Sequence, residues 1–167
     1  MMSGMITGPK LDRIDVNILA CLQKNGRMTN IALADEVGLS PSPCLARVKR
    51  LEKAGYISGY GAHLNLAKFG DVQIVFTSVT LGDHRREDFI LFEHALKNVE
   101  ELVECHLVSG GFDYLLKFVT RGIPHYQDVI DGMLNRNIGI AKYFTYIVIR
   151  SALVRTNFSI KSIIRTE

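Results

Sequence analysis

Apolar residues recur at helical spacing in three short stretches before residue 56. Ile14, Ile18, Leu19 and Leu22 form the first strip. Asp12 stands before it as an N-cap and Asp15 follows three residues on, an acidic form of the capping pattern, and Gly26 marks the stop. The second begins at Thr29, turns Ile31, Leu33, Ala34 and Val37 inward, and stops at Gly38. The third begins at Ser40, carries Cys44/Leu45, Val48 and Leu51 inward, and ends at Gly55. Pro41 and Pro43 both fall in its first turn, where a missing N–H is harmless, so they stiffen the helix start. Only "GLS" separates the second helix from the third, which is the helix-turn-helix layout.

After Gly55 the pattern changes. "YISGYGAHLNL" alternates apolar with small or polar residues and predicts a hairpin wing or an extended connector. From Val72 onward the periods predict a strand "VQIVFTSVTL", a helix "HRREDFILFEHALKN", a strand "ELVECHLV", a turn "SGGF" and a strand "DYLLKFVT". A helix "IPHYQDVIDGMLNRN" and a strand "AKYFTYIVIR" follow. The order β-α-β-β-α-β is ferredoxin-like, so the chain is α+β. The expected organisation is a helix-turn-helix domain at 11–60, a linker strand at 61–71, a ferredoxin-like domain at 72–150, and a C-terminal strand or tail at 151–167.

The strands lack a wet face. In the last one, Tyr143, Ile147 and Ile149 alternate with Phe144, Tyr146 and Val148. One side must carry the two helices, and no further helix is left for the other. The economical cover is a second copy, sheet against sheet, so the pattern predicts an obligate homodimer.

Charge sharpens the division. Residues 1–60 hold eight Lys/Arg against five Asp/Glu, whereas residues 61–167 hold twelve of each. The whole excess of +3 sits in the first third, as for a polyanion-facing module joined to a neutral one. On the third helix, Ser42, Pro43, Ala46, Arg47 and Arg50 are expected to point outward, flanked by Lys49 and Lys53. A small hydroxyl-bearing tip, Ser40 and Ser42 beside Pro43, suits approach to base edges, and Arg47, Lys49 and Arg50 suit phosphate or base contacts in a major groove. A solvated basic face is the other reading of such a helix; the three-helix context and the charge asymmetry favour the groove.

Composition excludes other classes. At 47% hydrophobic residues the chain can build a core, and no apolar run reaches membrane-spanning length. Cys21, Cys44 and Cys105 are odd in number and show no CxxC spacing, which predicts no disulfide framework, no membrane and a cytoplasmic setting. The five histidines show no metal-ligand spacing, and there is no nucleophile elbow or phosphate loop, so neither catalysis nor a metal or other cofactor is expected. In "HLVSGGFDYLLKF" two readings stay open. One is plain turn chemistry. The other is a ligand loop in which the N–H groups of Ser109, Gly110, Gly111 and Phe112 receive a carboxylate and Asp113 pairs with an ammonium, as an α-amino acid would require.

The run "LDRIDVNILACLQKNGRMTNIALADEVGLSPSPCLARVKRLEKAGYISGY", followed by "ECHLVSGGFDYLLK", resembles the Lrp/AsnC (feast/famine) transcription regulators from about Leu11 to Arg150, with the leucine-responsive branch nearest. The resemblance implies a winged helix-turn-helix joined to an amino-acid-responsive (RAM) domain. It implies dimers through the sheet, rings that are commonly octamers, and effectors bound between dimers. Its effector region falls on Leu107, Ser109, Gly110, Gly111, Phe112, Asp113, Ile123, Asn135, Tyr146, Ile147 and Val148. Asn135 stands where the leucine-responsive branch usually has leucine, so the effector is read as leucine or another small amino acid. The function expected is sequence-specific regulation of amino-acid metabolism on double-stranded DNA. The alternatives are an architectural protein that wraps DNA with weak sequence choice, and a metabolite-binding or enzymatic second domain to which the first is accessory.

Overall fold

The computed structural model describes residues 9–164. The chain divides into two compact units: residues up to His63 together with the segment from Leu153 onward, and Leu64–Ala152.

In the first unit, α1 (Arg13–Lys24), α2 (Asn30–Val37) and α3 (Pro41–Lys53) follow the apolar strips. The Asp12 carboxylate accepts from the Asp15 N–H (2.8 Å), and the Asp15 carboxylate accepts from the Asp12 N–H (3.1 Å), a reciprocal capping box built from two aspartates. Thr29 Oγ1 accepts from the Ala32 N–H and opens α2. Gly38 closes it at φ 71°, the left-handed conformation that glycine adopts without a Cβ penalty. Ser40 is the N-cap residue of α3, but its hydroxyl makes no capping bond. Val16, Ile18, Leu19, Leu33, Ala34, Cys44 and Leu51 form the buried core. Ile31 and Leu45, expected to turn inward, are exposed. The helices are short, and Leu33 with Ala34 and Cys44 with Leu51 already fill the contact lines.

One boundary expectation needs correction, and two open readings narrow. The stretch after Gly55 pairs no strands among the described residues, which leaves the extended connector of the two readings. Gly59 and Gly61 offer nothing for cross-strand packing, and the Tyr60 hydroxyl instead donates back to Glu52 Oε1 (2.8 Å). The linker 61–71 holds a short 3-10 turn, Leu66–Lys68, rather than a strand, because the Asn65 side chain accepts from the Ala67 N–H. The C-terminal segment is not a strand added to the sheet. It ends in α6 (Ile160–Ile163) and packs Ile160 and Ile164 into the core of the first unit. The Gln23 amide, oriented to satisfy both of its ends, donates to the Phe158 carbonyl (2.8 Å) and accepts from its N–H (3.2 Å).

In the second unit, β1 (Val72–Leu81), α4 (Arg86–Leu96), β2 (Leu102–Leu107), β3 (Tyr114–Arg121), α5 (Gly122–Leu134) and β4 (Ile140–Ile147) give one antiparallel sheet ordered β2-β3-β1-β4. The register sets Val75 opposite Phe118 and Ile147, and Val79 opposite Tyr114 and Tyr143. Val75, Val79, Tyr114, Leu116 and Phe118 bury one face against Phe92 and Leu96 of α4 and Tyr126, Ile130 and Met133 of α5. The Tyr126 hydroxyl is buried between Thr77 Oγ1 (2.8 Å) and Thr145 Oγ1 (2.7 Å), so its polar end is satisfied inside the core. On the opposite face the same register groups Ile74 and Phe76, Leu115 and Val119, and Phe144 and Tyr146. Phe144 and Tyr146 remain 52% and 53% exposed.

Candidate DNA interface and effector site

The first turn of α3 presents Ser42 and Pro43 to solvent, with Ala46 and Lys49 along the same exposed side. The Asn30 side chain donates to the Pro41 carbonyl (2.8 Å), so the head of α2 is fastened to the head of α3. Arg47 turns partly inward against the expectation, and Arg50, exposed as expected, is also engaged in an ion pair. Arg47 Nη1 lies 2.6 Å from Asp12 Oδ2 and 2.8 Å from Asp15 Oδ1, and Arg50 Nη2 lies 2.5 Å from Asp15 Oδ2. Asp15 is fully buried. A carboxylate removed from water needs charged donors, and α3 supplies two. The Arg47 side chain keeps 29% of its exposure and that of Arg50 43%. The Asp15 N–H and the Arg47 guanidinium hold the Asp12 carboxyl below the ordinary carboxylate range, and both acids raise the Arg47 pKa. The two arginines thus brace α3 against α1, while Ser42, Pro43 and Lys49 stand free of ion pairs among the described residues. The sequence marked Asp12 and Asp15 as caps; their second role spans more than thirty residues and has no local signature.

The expected effector residues form two groups. Leu107, the loop Ser109–Asp113 and Asn135 lie where β1 ends, since Leu107 pairs with Tyr114, the Asp113 N–H donates to the Val79 carbonyl, and the Gly82 N–H donates to Gly139 just after Asn135. Ile123 lies where β1 begins, since Arg121 pairs with Val72, whereas Tyr146, Ile147 and Val148 run beside the first half and middle of β1, since Tyr146 pairs with Phe76, Ile147 with Val75, and the Val148 N–H donates to the Ile74 carbonyl. At about 3.3 Å per residue, Tyr146 at Phe76 and the loop at Val79 are roughly 10 Å apart along β1, and Leu107 on β2 and Tyr146 on β4 stand on opposite edges of the sheet. One sheet therefore does not bring the two groups together.

In the loop, the N–H groups of Ser109, Gly110, Gly111 and Phe112 donate to no group among the described residues. A Cβ on Gly111 would meet open space. Asp113, expected to be free for an ammonium, is already engaged. Its Oδ2 accepts from the Leu81 N–H (2.8 Å), and His84 Nε2 lies 3.0 Å from its Oδ1. The carboxylate pins the loop to the end of β1. His84 was not marked by the sequence, having no motif around it. Asn135 is the C-cap of α5 and is exposed. Among the described residues no group of three or more His, Cys, Asp or Glu side chains could hold a metal, and no helix is long and apolar enough to cross a membrane.

Two family descriptions match the chain: winged helix-turn-helix DNA-binding over residues 11–58, and Lrp/AsnC ligand binding domain over residues 74–165. The chain belongs to the Lrp/AsnC family of transcriptional regulators. Among Lrp/AsnC relatives, the transcriptional regulatory protein DoeX of Halomonas elongata is 46% identical over 142 residues, 85% of this chain and 90% of DoeX. The leucine-responsive regulatory protein of Escherichia coli K12 is 43% identical over 155 residues, 93% of this chain and 94% of that protein. The structure of a Neisseria meningitidis transcriptional regulator in complex with L-Met superposes with a TM-score of 0.84 at 28% identity, covering 93% of this chain and all of that one. Escherichia coli AsnC gives a TM-score of 0.78 at 26% identity, over 88% and 97% of the two chains. This Lrp/AsnC chain is thus a DNA-binding transcriptional regulator with an effector-binding second domain.

Proposed function

We propose that this regulator works as a sheet-to-sheet homodimer, assembled further toward an octamer, whose effector site is completed by two copies. The separation of the two effector groups across one sheet is the observation that carries this reading. A ligand touching both groups needs the loop of one chain against the far edge of another. The loop's unengaged N–H groups suit the ligand's carboxylate. Leucine, or another small amino acid, fits the class. The leucine-responsive relatives and the methionine-bound neighbour support that choice of chemistry. On DNA, Ser42, Pro43 and Lys49 face the groove and Arg50 reaches its edge, while Ser40 and Arg47 set the pose of α3.

Complementation tests the shared site. Gly111→Asp and Tyr146→Ala should each weaken amino-acid binding in calorimetry, with DNA binding retained. Co-refolding the two variants should restore a fraction of full-affinity sites, because some sites then draw an intact loop from one chain and an intact far edge from the other. Two defective proteins that stay defective when mixed would place the site within one chain. A thermal-shift screen of the common amino acids names the effector, since a ligand of the native state raises apparent stability by mass action.

A further inference from the structure

A cavity of about 510 Å³ opens in the first unit between the end of α1 and the C-terminal segment, lined by Ala20, Gln23, Lys24, Arg155, Asn157, Phe158, Ser159, Ile160 and Lys161. Three of these are cations, and none is a carboxylate. Lys24, Arg155 and Lys161 are exposed and form no ion pair among the described residues. Burial and Glu36 of α2 raise the Cys21 pKa, and Lys24 and Lys161 act against them. The walls are held in place. Gln23 clamps the main chain of Phe158, and Ile160 is anchored in the core. Three exposed cations around one hollow, with no carboxylate in its lining, give it a positive potential that attracts an anion.

We infer that this cavity binds a phosphodiester of the DNA backbone, outside the groove read by α3. The inference rests on the reading of α3 as the groove helix, and two observations choose DNA among anions. First, the C-terminal segment adds to the charge of the DNA-binding unit. That unit carries eleven Lys/Arg against six Asp/Glu, whereas the second unit carries nine against eleven. Second, Lys24 stands five residues before Thr29, the cap of α2, and the head of α2 is bonded to the head of α3 through Asn30 and Pro41. The cavity thus belongs to the same unit as the groove helix, on the segment that leads into α2. Lys24, Arg155 and Lys161 supply a charge-assisted clamp, with Asn157 and Ser159 as neutral donors.

The test is the salt dependence of duplex binding by the full chain. Removing one cation from a phosphate should make the slope of log affinity against log salt shallower by about 0.9. Lys24→Gln/Arg155→Gln/Lys161→Gln should show this on specific and random duplexes alike, leaving the preference between them unchanged. Arg155→Lys/Lys161→Arg should keep the wild-type slope. If the Lys161 change loosens α6, Lys24→Gln/Arg155→Gln carries the test, because both side chains lie outside the core. A wild-type slope in Lys24→Gln/Arg155→Gln/Lys161→Gln, or in Lys24→Gln/Arg155→Gln where α6 loosens, overturns the inference while leaving the groove reading intact. Wild-type protein without salt-dependent DNA binding would remove both.

Discussion

Asp15 shows how one side chain can tie local and long-range structure together. It completes the capping box of α1 and, fully buried, receives Arg47 and Arg50 from α3. Asp15→Asn removes the buried charge and leaves two guanidinium groups to find water, which their partial exposure allows. We expect a loss of about 3 kcal/mol in urea unfolding, the low end for a broken buried pair. Arg47→Ala should lower the melting temperature and weaken DNA binding together. Lys49→Ala, on the free side of α3, should weaken DNA binding at an unchanged melting temperature. If both arginine and lysine variants keep wild-type stability, the bracing role is wrong. Acid adds a further check. The folded-state pKa of Asp12 is depressed, so its contribution is present above the unfolded value of 3.8 and is lost as pH falls through the lower folded value. Melting temperature should therefore drop on acidification below about pH 4, and less so in Asp12→Asn.

At the scale of elements, period and punctuation were enough for most of the chain. The strand expected over "VQIVFTSVTL" is β1 residue for residue, because alternation and β-branching agree there with the later packing. The heads of α1 and α2 were legible because caps are local. What escaped was non-local. The choice between wing and connector after Gly55 stayed open, because a glycine-rich stretch carries no pairing signal of its own. Leu45 and Ile31 met no neighbour, although helical spacing alone placed them inward. The C-terminal segment was unreadable because its partner, the core beside α1, lies well over a hundred residues away. Its importance can be measured. Ile160→Ala should destabilise the first unit by about 2–5 kcal/mol, the usual range for a buried isoleucine, seen as loss of amide protection in α1. Unaltered protection would reduce α6 to an ornament of the surface.

For the whole molecule, the sheet is the deciding object. One face is packed by α4 and α5, and the other leaves Phe76, Phe144 and Tyr146 partly open to water. The alternation of β4 disclosed this imbalance without any coordinates, since apolar residues occupied both of its sides. The assignment of effector residues was harder. The resemblance named candidate positions, and the strand order sets Leu107 of β2 and Tyr146 of β4 on opposite edges of the sheet. Phe144→Arg should shift the protein toward monomer in analytical ultracentrifugation, because a cation would then have to be buried against a second copy. A dimer of unchanged mass and stability would require a different covering for that face.

The return of the C-terminal segment to the first unit makes that unit discontinuous in sequence, with the effector unit inserted inside it. On the ribosome, translation runs through the sheet and both of its helices before Ile160 exists to fill the last place in the amino-terminal core. A nascent chain can thus finish its sensor while its DNA-reading half still lacks a piece. Synthesis order would then favour finished sensors over prematurely active readers.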